Sequence, residues 1–300
     1  MSEEKFDVYK EVTKKIVASL EQGVIPWRQR WASPMIDRIN YISRKKYNGI
    51  NSLLLQDKGE YLTYKQCTDC GGIVKRGEKA KYVFQHFEIP AKEDKEEYDR
   101  LKKEKKDTSH LKTFWLLRQI PVFHLSQTFG IESKMKENQY QMSGSPTDLA
   151  DLVIDFFNRE KGITVKENEG DINGYDEKSG ELVVPLREQF TNEELWYTNI
   201  FSQLVKIALT ADKNKDKDGI DESSLEKKSI KDIAKDELQA EIGACMVMTA
   251  VGLNVELSDK DTIEACSYWA NKCNNDYRLV VRAANGAQRA ADVLLKPLFG

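Results

Sequence analysis

The sequence predicts an α+β protein of two domains, a small α/β domain followed by a mainly helical domain with a small sheet. A chain of 300 residues with 40% hydrophobic residues has enough apolar material for two cores. Strand-like and helical patterns are mixed in the first half, whereas long helical patterns dominate the second. The charge also changes sign, because residues 1–140 hold 27 Lys and Arg against 20 Asp and Glu, and residues 141–300 hold 19 against 29. We therefore divide the chain into residues 1–140, a linker at 141–146, and residues 147–300.

The first domain is predicted from short elements separated by turn signals. Asn48-Gly49 indicates a turn, Thr63 is a helix N-cap candidate, and Gly71-Gly72 ends that helix. Residues 91–113 are nearly all charged, which favours a solvated helix or a mobile insertion. The predicted elements are a helix at 5–22, a short helix at 50–55, a helix opening at 62–66, and strands at 73–74, 82–88 and 115–127.

The second domain is predicted from longer helical patterns. The last pattern is long enough to require an interruption near Asn274 or Asn285. The predicted elements are a helix at 147–160, strands at 163–166 and 181–185, and helices at 191–210, 230–251 and 259–300.

Composition narrows the class of protein. No run of about 18 apolar residues occurs, and half of the first ten residues are charged. We therefore expect a cytoplasmic protein without a membrane partner. Three of the five cysteines, Cys245, Cys266 and Cys273, fall in predicted helices, where a cysteine usually acts as a small apolar residue, and we predict no disulfides. The Cys67/Cys70 pair lacks the second pair of a zinc knuckle. Residues 214–225 resemble a calcium loop, but Leu225 stands where a bidentate Glu is required. We expect neither a metal nor another cofactor.

The positive charge is concentrated in residues 28–81, which hold 12 basic and 5 acidic residues. Aromatic residues alternate with these cations, which is the combination that binds single-stranded nucleic acid through phosphates and stacked bases. Trp27 and Trp31 are equally consistent with anchors of a core. The candidate DNA-binding residues are Trp27, Arg28, Arg30, Trp31, Arg44, Lys45, Lys46, Tyr47, Asn48, Asn51, Lys75 and Lys79.

The same region resembles the N-terminal domain of ArdC-type antirestriction proteins of plasmids and other mobile elements. The resemblance implies binding of single-stranded DNA without sequence preference. The residues that carry it are Pro26-Trp27, Trp31, Pro34, Tyr47-Asn48-Gly49-Ile50-Asn51, Leu53-Leu54-Leu55, Leu62-Thr63, Gln66, Gly71-Gly72, Val74-Lys75, Gly77-Glu78-Lys79-Ala80, Val122-Phe123 and Gln127.

From Gly170 onward the chain resembles the zincin-like peptidase domain of the same family. The residues that carry this match are Tyr175, Leu182-Val183-Val184-Pro185, Phe190, Trp196-Tyr197 and the segment 237–244. The family's HExxH motif provides two zinc-binding histidines and a general base. Here that place reads Ser202-Gln203-Leu204-Val205-Lys206, and the chain has no histidine after His124. The resemblance therefore implies a pseudo-peptidase rather than a zinc enzyme.

The lost motif leaves an acidic position without its metal. The family's acidic ligand corresponds to Glu237 or Glu241, so Ser202, Gln203, Lys206 and these two glutamates are the vestigial metal-site positions. A buried carboxylate must be protonated, hydrated or paired. We predict from the helix spacing that Lys206 forms an ion pair or a water-bridged contact with one of the two glutamates.

These features predict an antirestriction-like protein of a mobile element that binds single-stranded DNA and carries an inactive peptidase-like domain as a scaffold or protein-binding surface. A host defence protein is a second candidate partner. One alternative is an inhibitor whose acidic second half imitates DNA and blocks a nuclease or restriction enzyme. Another is a hydrolase that uses Ser202 as nucleophile and Lys206 as base.

Overall fold

The structure is a computed structural model, which describes residues 7–28, 38–55, 57–135, 144–215, 230–254 and 256–299. The predicted site residues Arg30 and Trp31, half of the linker and most of the loop at 214–225 lie outside the described residues. The chain divides into two compact units. Unit 1 comprises residues 1–8, 38–46 and 54–135, and unit 2 comprises residues 9–37, 47–53 and 136–300.

The two units do not follow the predicted domain boundaries. Residues 9–37 and 47–53 lie within the predicted N-terminal domain, but they belong to the same compact unit as the C-terminal helices. Their packing explains this assignment. Thr13 donates a hydrogen bond to the carbonyl of Tyr277 at 2.7 Å, and the amide of Gly49 donates to Gln288 at 3.2 Å. A boundary read from charge and linker composition could not detect these long-range contacts.

Unit 1 contains a four-stranded sheet in the order β1-β2-β5-β4, in which β1 and β2 are parallel and the other pairs are antiparallel. A separate two-stranded antiparallel sheet pairs β3 with β6. The strands are β1 at Arg38–Asn40, β2 at Gly59–Leu62, β3 at Ile73–Val74, β4 at Lys81–Pro90, β5 at Thr113–His124 and β6 at Thr128–Phe129, and the helices are α3 at Tyr64–Asp69 and α4 at Lys95–Lys103.

Two sequence signals in unit 1 gave different results. The N-cap at Thr63 is confirmed, because its hydroxyl accepts from the Gln66 amide and the Gln66 side chain accepts from the Thr63 amide. Leu62, however, ends strand β2 rather than opening a helix. Strands β1 and β2 were not predicted, because they are short and carry the buried charged residues Arg38 and Glu60. Such residues break the alternation that identifies a strand.

Unit 2 is a set of helices beside a three-stranded sheet in the order β7-β9-β8, in which β7 and β9 are parallel. The strand β8 was not predicted. The expected break in the last helix is confirmed, because one helix ends at Asn275 and the next begins at Leu279. The strands are β7 at Thr164–Asn168, β8 at Gly174–Asp176 and β9 at Glu181–Pro185. The helices are α1 at Val8–Glu21, α2 at Ile50–Leu54, α5 at Pro146–Lys161, α6 at Glu193–Lys215, α7 at Ile230–Val251, α8 at Asp259–Asn275, α9 at Leu279–Leu294 and α10 at Lys296–Phe299.

The core of unit 2 forms where α6 and α7 pack with α9 and α5. Gly243 on α7 permits a close approach, because a Cβ at that position would lie 2.8 Å from a methyl group of Val205 on α6. Leu204 and Val205 are fully buried. The helix that carries the altered motif therefore keeps its place in the core without the metal ligands. Among the described residues, no helix is long and apolar enough to cross a membrane.

Candidate functional site

The three altered motif positions lie on α6 and have different environments. Ser202 is half-buried, Gln203 is buried, and Lys206 is exposed. A hydroxyl, an amide and an ammonium group form a poor ligand set for Zn²⁺, which prefers imidazole, thiolate and carboxylate donors. Within the described part of the chain, no three or more His, Cys, Asp or Glu side chains are grouped so that they could hold a metal ion. The residues present therefore do not fit the zinc ion that the family fold implies.

Glu241 on α7 accepts hydrogen bonds on both carboxylate oxygens. Its Oε1 accepts from Trp27 Nε1 at 3.0 Å and from Arg28 Nε at 3.0 Å, and its Oε2 accepts from Trp269 Nε1 at 2.7 Å. The two indole rings meet edge to face with centroids 6.2 Å apart. Three segments, α7, α8 and the loop after α1, are thus joined through one carboxylate.

The Arg28–Glu241 ion pair is largely shielded from water. The Arg28 side chain is 19% exposed and the Glu241 side chain 18%. Burial alone would lower the pKa of Arg28, but Cys245 and Glu241 raise it, and the net direction is upward. Burial raises the pKa of the nearby Cys245 thiol to about 12. At neutral pH the thiol is therefore uncharged, and the guanidinium is the charge partner of Glu241.

The space beside this pair is too small for a peptide. The cleft is lined by residues that include Trp27, Arg28, Thr198 and Cys245, and it has a volume of about 20 Å³. That is room for about one water molecule, whereas ligand pockets typically measure roughly 300–1,000 Å³. This cleft, as the described residues form it, therefore cannot hold a peptide.

The predicted contact of Lys206 with Glu237 or Glu241 is wrong. Lys206 is exposed, whereas Glu241 is engaged by Arg28 and the two indoles, and Glu237 accepts from the hydroxyl of Tyr268 at 2.7 Å. The hydrogen bond to Glu237 is the largest cause that raises the pKa of Tyr268 to about 12. The expectation that the carboxylate needs a partner holds, but the partner comes from the N-terminal segment, which the spacing on α6 could not reveal.

The alternative of a Ser202 nucleophile with a Lys206 base has no geometric support. Among the contacts of the described residues, no hydrogen bond joins the two side chains, and Lys206 is exposed to solvent. A serine nucleophile requires an adjacent base within hydrogen-bond reach.

The candidate DNA-binding residues are divided between the two units. Trp27 is 2% exposed and belongs to the core of unit 2, which is the anchor role that the sequence had left open. Arg28 is engaged by Glu241. A base cannot stack on Trp27 in this arrangement. Both residues were therefore misjudged as contacts for DNA, because the sequence gives no sign that a partner on α7 lies over 200 residues away.

The Tyr47–Asn51 motif also lies in unit 2, at the start of α2. Gly49 has φ 58, and a Cβ there would lie 2.3 Å from the side-chain oxygen of Asn285 on α9. Glycine is required at this turn both by its backbone conformation and by this close approach. Tyr47 and Asn51 are half-buried, and Asn48 is exposed. Packing on α9 thus accounts for the glycine of the motif without DNA.

The remaining candidate cations lie in unit 1. Arg44, Lys45 and Lys46 follow β1 and are exposed, and Arg44 pairs with the buried Glu60. Lys79 is exposed in the segment before β4. Lys75 follows β3, and its Nζ donates to the carbonyl of Ser126 at 2.7 Å.

The β3–β6 sheet presents large apolar side chains that the sequence reading had missed. Ile73 and Phe129 are cross-strand partners and are 68% and 64% exposed, and Lys75 Nζ lies 4.8 Å from the Phe129 ring centroid. Tyr64, at the start of α3, is 63% exposed. We call Ile73, Lys75 and Phe129 the β3–β6 surface. Phe129 was missed because the predicted last strand ended at Gln127. An aromatic residue only two positions beyond that strand could have indicated a further strand.

Comparison with known proteins finds one family match in each half of the chain. The N-terminal domain of the anti-restriction factor ArdC (ArdcN) matches residues 6–123, and the zincin-like metallopeptidase family MPTase-PolyVal matches residues 153–286. Two proteins of Escherichia coli named DNA primase TraC are each 23% identical over 95% and 98% of this chain. The chain spans only 19% and 28% of the length of these curated relatives.

Solved structures share the fold. The metal-free crystal structure of the antirestriction ArdC protein from the R388 plasmid is 23% identical with a TM-score of 0.66, and the alignment covers 97% of each chain. The Mn(II)-bound structure of that protein is 22% identical with a TM-score of 0.67, covering 98% of this chain and 100% of the other. This chain therefore contains an ArdcN domain followed by a zincin-like domain, and it shares its fold with the antirestriction ArdC protein from the R388 plasmid.

Proposed function

We propose that the protein binds single-stranded DNA without sequence preference through unit 1, and that unit 2 is a non-catalytic scaffold. The observation that carries the first part is the β3–β6 surface, where an exposed aromatic ring and an ammonium group lie together. A base can stack on Phe129 while Lys75 meets the adjacent phosphate, and neither contact depends on base identity.

Further exposed cations of unit 1 support the proposal. Lys45, Lys46 and Lys79 are exposed in unit 1, within the segment 28–81 that carries 12 basic and 5 acidic residues. Exposed cations of this density attract a polyanion and release its counterions on binding. The proposed contacts are therefore Lys45, Lys46, Lys75, Lys79 and Phe129, with Arg44 contributing charge from its ion pair with Glu60.

The proposal for unit 2 rests on the environment of Glu241. In a zincin, a metal ion would supply the positive charge next to the acidic ligand. Here the guanidinium of Arg28 supplies that charge at 3.0 Å, and the two indoles use the remaining hydrogen-bonding capacity of the carboxylate. Gln203 cannot act as a general base. The unit thus keeps the helix packing of a peptidase without its chemistry.

The net charge of the second half favours one further candidate function. Residues 141–300 hold 19 basic and 29 acidic residues, so an acidic surface that imitates DNA and binds a host nuclease remains a second proposal. Adding the full-length protein to a restriction digest of double-stranded DNA tests it. Inhibition that persists after Lys75→Ala and Phe129→Ala supports the DNA-mimic function, and absence of inhibition contradicts it.

Replacing Phe129 with Ala should weaken binding of a fluorescent single-stranded oligonucleotide by about 1–3 kcal/mol, which is roughly 5- to 150-fold in Kd. Lys75→Ala should lower the slope of log affinity against log salt concentration by about 0.7. The matched control is Ile263→Ala, since Ile263 is a 66% exposed apolar residue of unit 2. Unchanged affinity in Phe129→Ala would refute the proposed surface.

Removing the guanidinium should destabilise the protein, because Glu241 would keep its charge without a cationic partner. We expect Arg28→Met to lower the free energy of unfolding by about 2–4 kcal/mol. This is slightly less than the roughly 3–5 kcal/mol that removing one partner of a fully buried pair costs. Lys206→Met should cost under about 1 kcal/mol because Lys206 is exposed. In a double-mutant cycle with Glu241→Gln, measured by denaturant unfolding, the coupling energy should be at least about 1 kcal/mol. A coupling near zero would show that the pair has no structural role.

Divalent metals should have no specific effect on the purified protein. We expect elemental analysis to find no stoichiometric zinc or manganese, and neither Zn²⁺ nor EDTA to change the melting temperature. A ligand that binds only the folded state would stabilise it by about 2.7 kcal/mol at 100 times its Kd, which a thermal scan detects. Stoichiometric metal in the unmodified protein that is absent from Glu241→Gln would contradict the proposal that unit 2 is non-catalytic.

A further inference from the structure

The strands β4 and β5 form a long hairpin with two different faces. They pair without interruption from Lys81 opposite Val122 to Pro90 opposite Thr113. Because side chains alternate along a strand, directly opposed residues share a face. Phe87 opposite Leu116 and Ile89 opposite Phe114 therefore form one apolar group near the end of the hairpin, which we call the distal hairpin face.

Near the end of the hairpin, α4 packs on the opposite face, whereas the distal hairpin face is open. Tyr98 of α4 is buried and donates its hydroxyl to Glu88, which lies on the other face. Phe114 is 55% exposed and Leu116 is 47% exposed. The charged segment that interrupts the hairpin thus packs on one side and leaves the aromatic side accessible.

Two cations lie beside the aromatic rings of the open side. Arg118 lies with its guanidinium carbon 5.2 Å from the Phe87 ring centroid, and Lys112 Nζ lies 5.7 Å from the Phe114 centroid. None of the ten described positions on this side of the ladder is acidic; they are Lys81, Val83, Gln85, Phe87, Ile89, Phe114, Leu116, Arg118, Ile120 and Val122. The exposed Phe114 ring and the half-buried Phe87 ring therefore each lie beside one cation.

We propose that the distal hairpin face is a second contact surface for single-stranded DNA, on which bases stack against Phe87 and Phe114 while Arg118 and Lys112 bind the flanking phosphates. This inference rests on the proposed DNA-binding function. A polyanion with flat apolar bases matches an all-cationic aromatic face, because stacking and phosphate neutralisation are then satisfied together. A protein partner would gain from the apolar groups but would have to provide acids for both cations.

The position of this face predicts how binding depends on DNA length. Eight residues separate Lys81, at the start of β4, from Ile89 opposite Phe114. At about 3.4 Å per residue, the face lies roughly 27 Å along the hairpin from Lys81. A short oligonucleotide bound at the β3–β6 surface is too short to occupy both surfaces, whereas a long one can bind to both.

The test measures affinities of the full-length protein for oligonucleotides of about 4 and about 30 nucleotides by fluorescence anisotropy. Phe114→Ala and Arg118→Ala should each weaken binding of the long oligonucleotide about 5-fold or more and leave the short one unchanged. Lys103→Ala is the matched control, because Lys103 is an exposed cation on α4.

The outcomes separate this inference from the proposed function. If Phe129→Ala weakens both oligonucleotides but Phe114→Ala and Arg118→Ala change neither, the distal hairpin face does not bind DNA, although the proposed function stands. If Phe114→Ala instead abolishes self-association in sedimentation experiments without affecting DNA binding, the face is a protein interface and the inference is overturned. If the unmodified protein binds neither oligonucleotide, the proposed function itself fails.

Discussion

The second unit depends on how the charge of Glu241 is compensated, because a largely buried carboxylate without a partner would be costly. Trp27, Arg28 and Trp269 together provide three donors to its two oxygens. A guanidinium meets this need with directional hydrogen bonds and permanent charge, so α6 and α7 can pack together without a metal ion between them.

The Arg28–Glu241 pair also constrains the N-terminal third of the chain. Arg28 can reach Glu241 only because the segment after α1 packs with α7 and α8, and the Gly49 turn packs on α9 in the same way. These residues therefore stabilise unit 2, and the DNA contacts that we propose are exposed residues of unit 1. The sheets there present Phe129 and Phe114 beside lysines, outside the region where the sequence concentrates its tryptophans.

Local signals in the sequence predicted most of the elements. The capping residue Thr63 and the periodicity of α7 mark their elements because the information is contained in neighbouring residues. Loss of the zinc ligands was equally visible, since the absence of histidine after His124 needs no structure. The partner of Glu241 was not predictable, because helix spacing describes only contacts within one element. The aromatic and basic segment was likewise assigned to DNA, although Trp27 is buried in unit 2 and Arg28 pairs there with Glu241.

The most direct test of the account follows the indole N–H signals of Trp27 and Trp269 in the NMR spectrum of the ¹⁵N-labelled protein. If both indoles donate to Glu241, their signals should exchange slowly with solvent, shift in Glu241→Gln, and stay unchanged when single-stranded DNA is added. A Trp27 indole that exchanges rapidly and shifts on addition of DNA would contradict the account, because it would place that ring on the DNA-binding surface rather than in the core of unit 2.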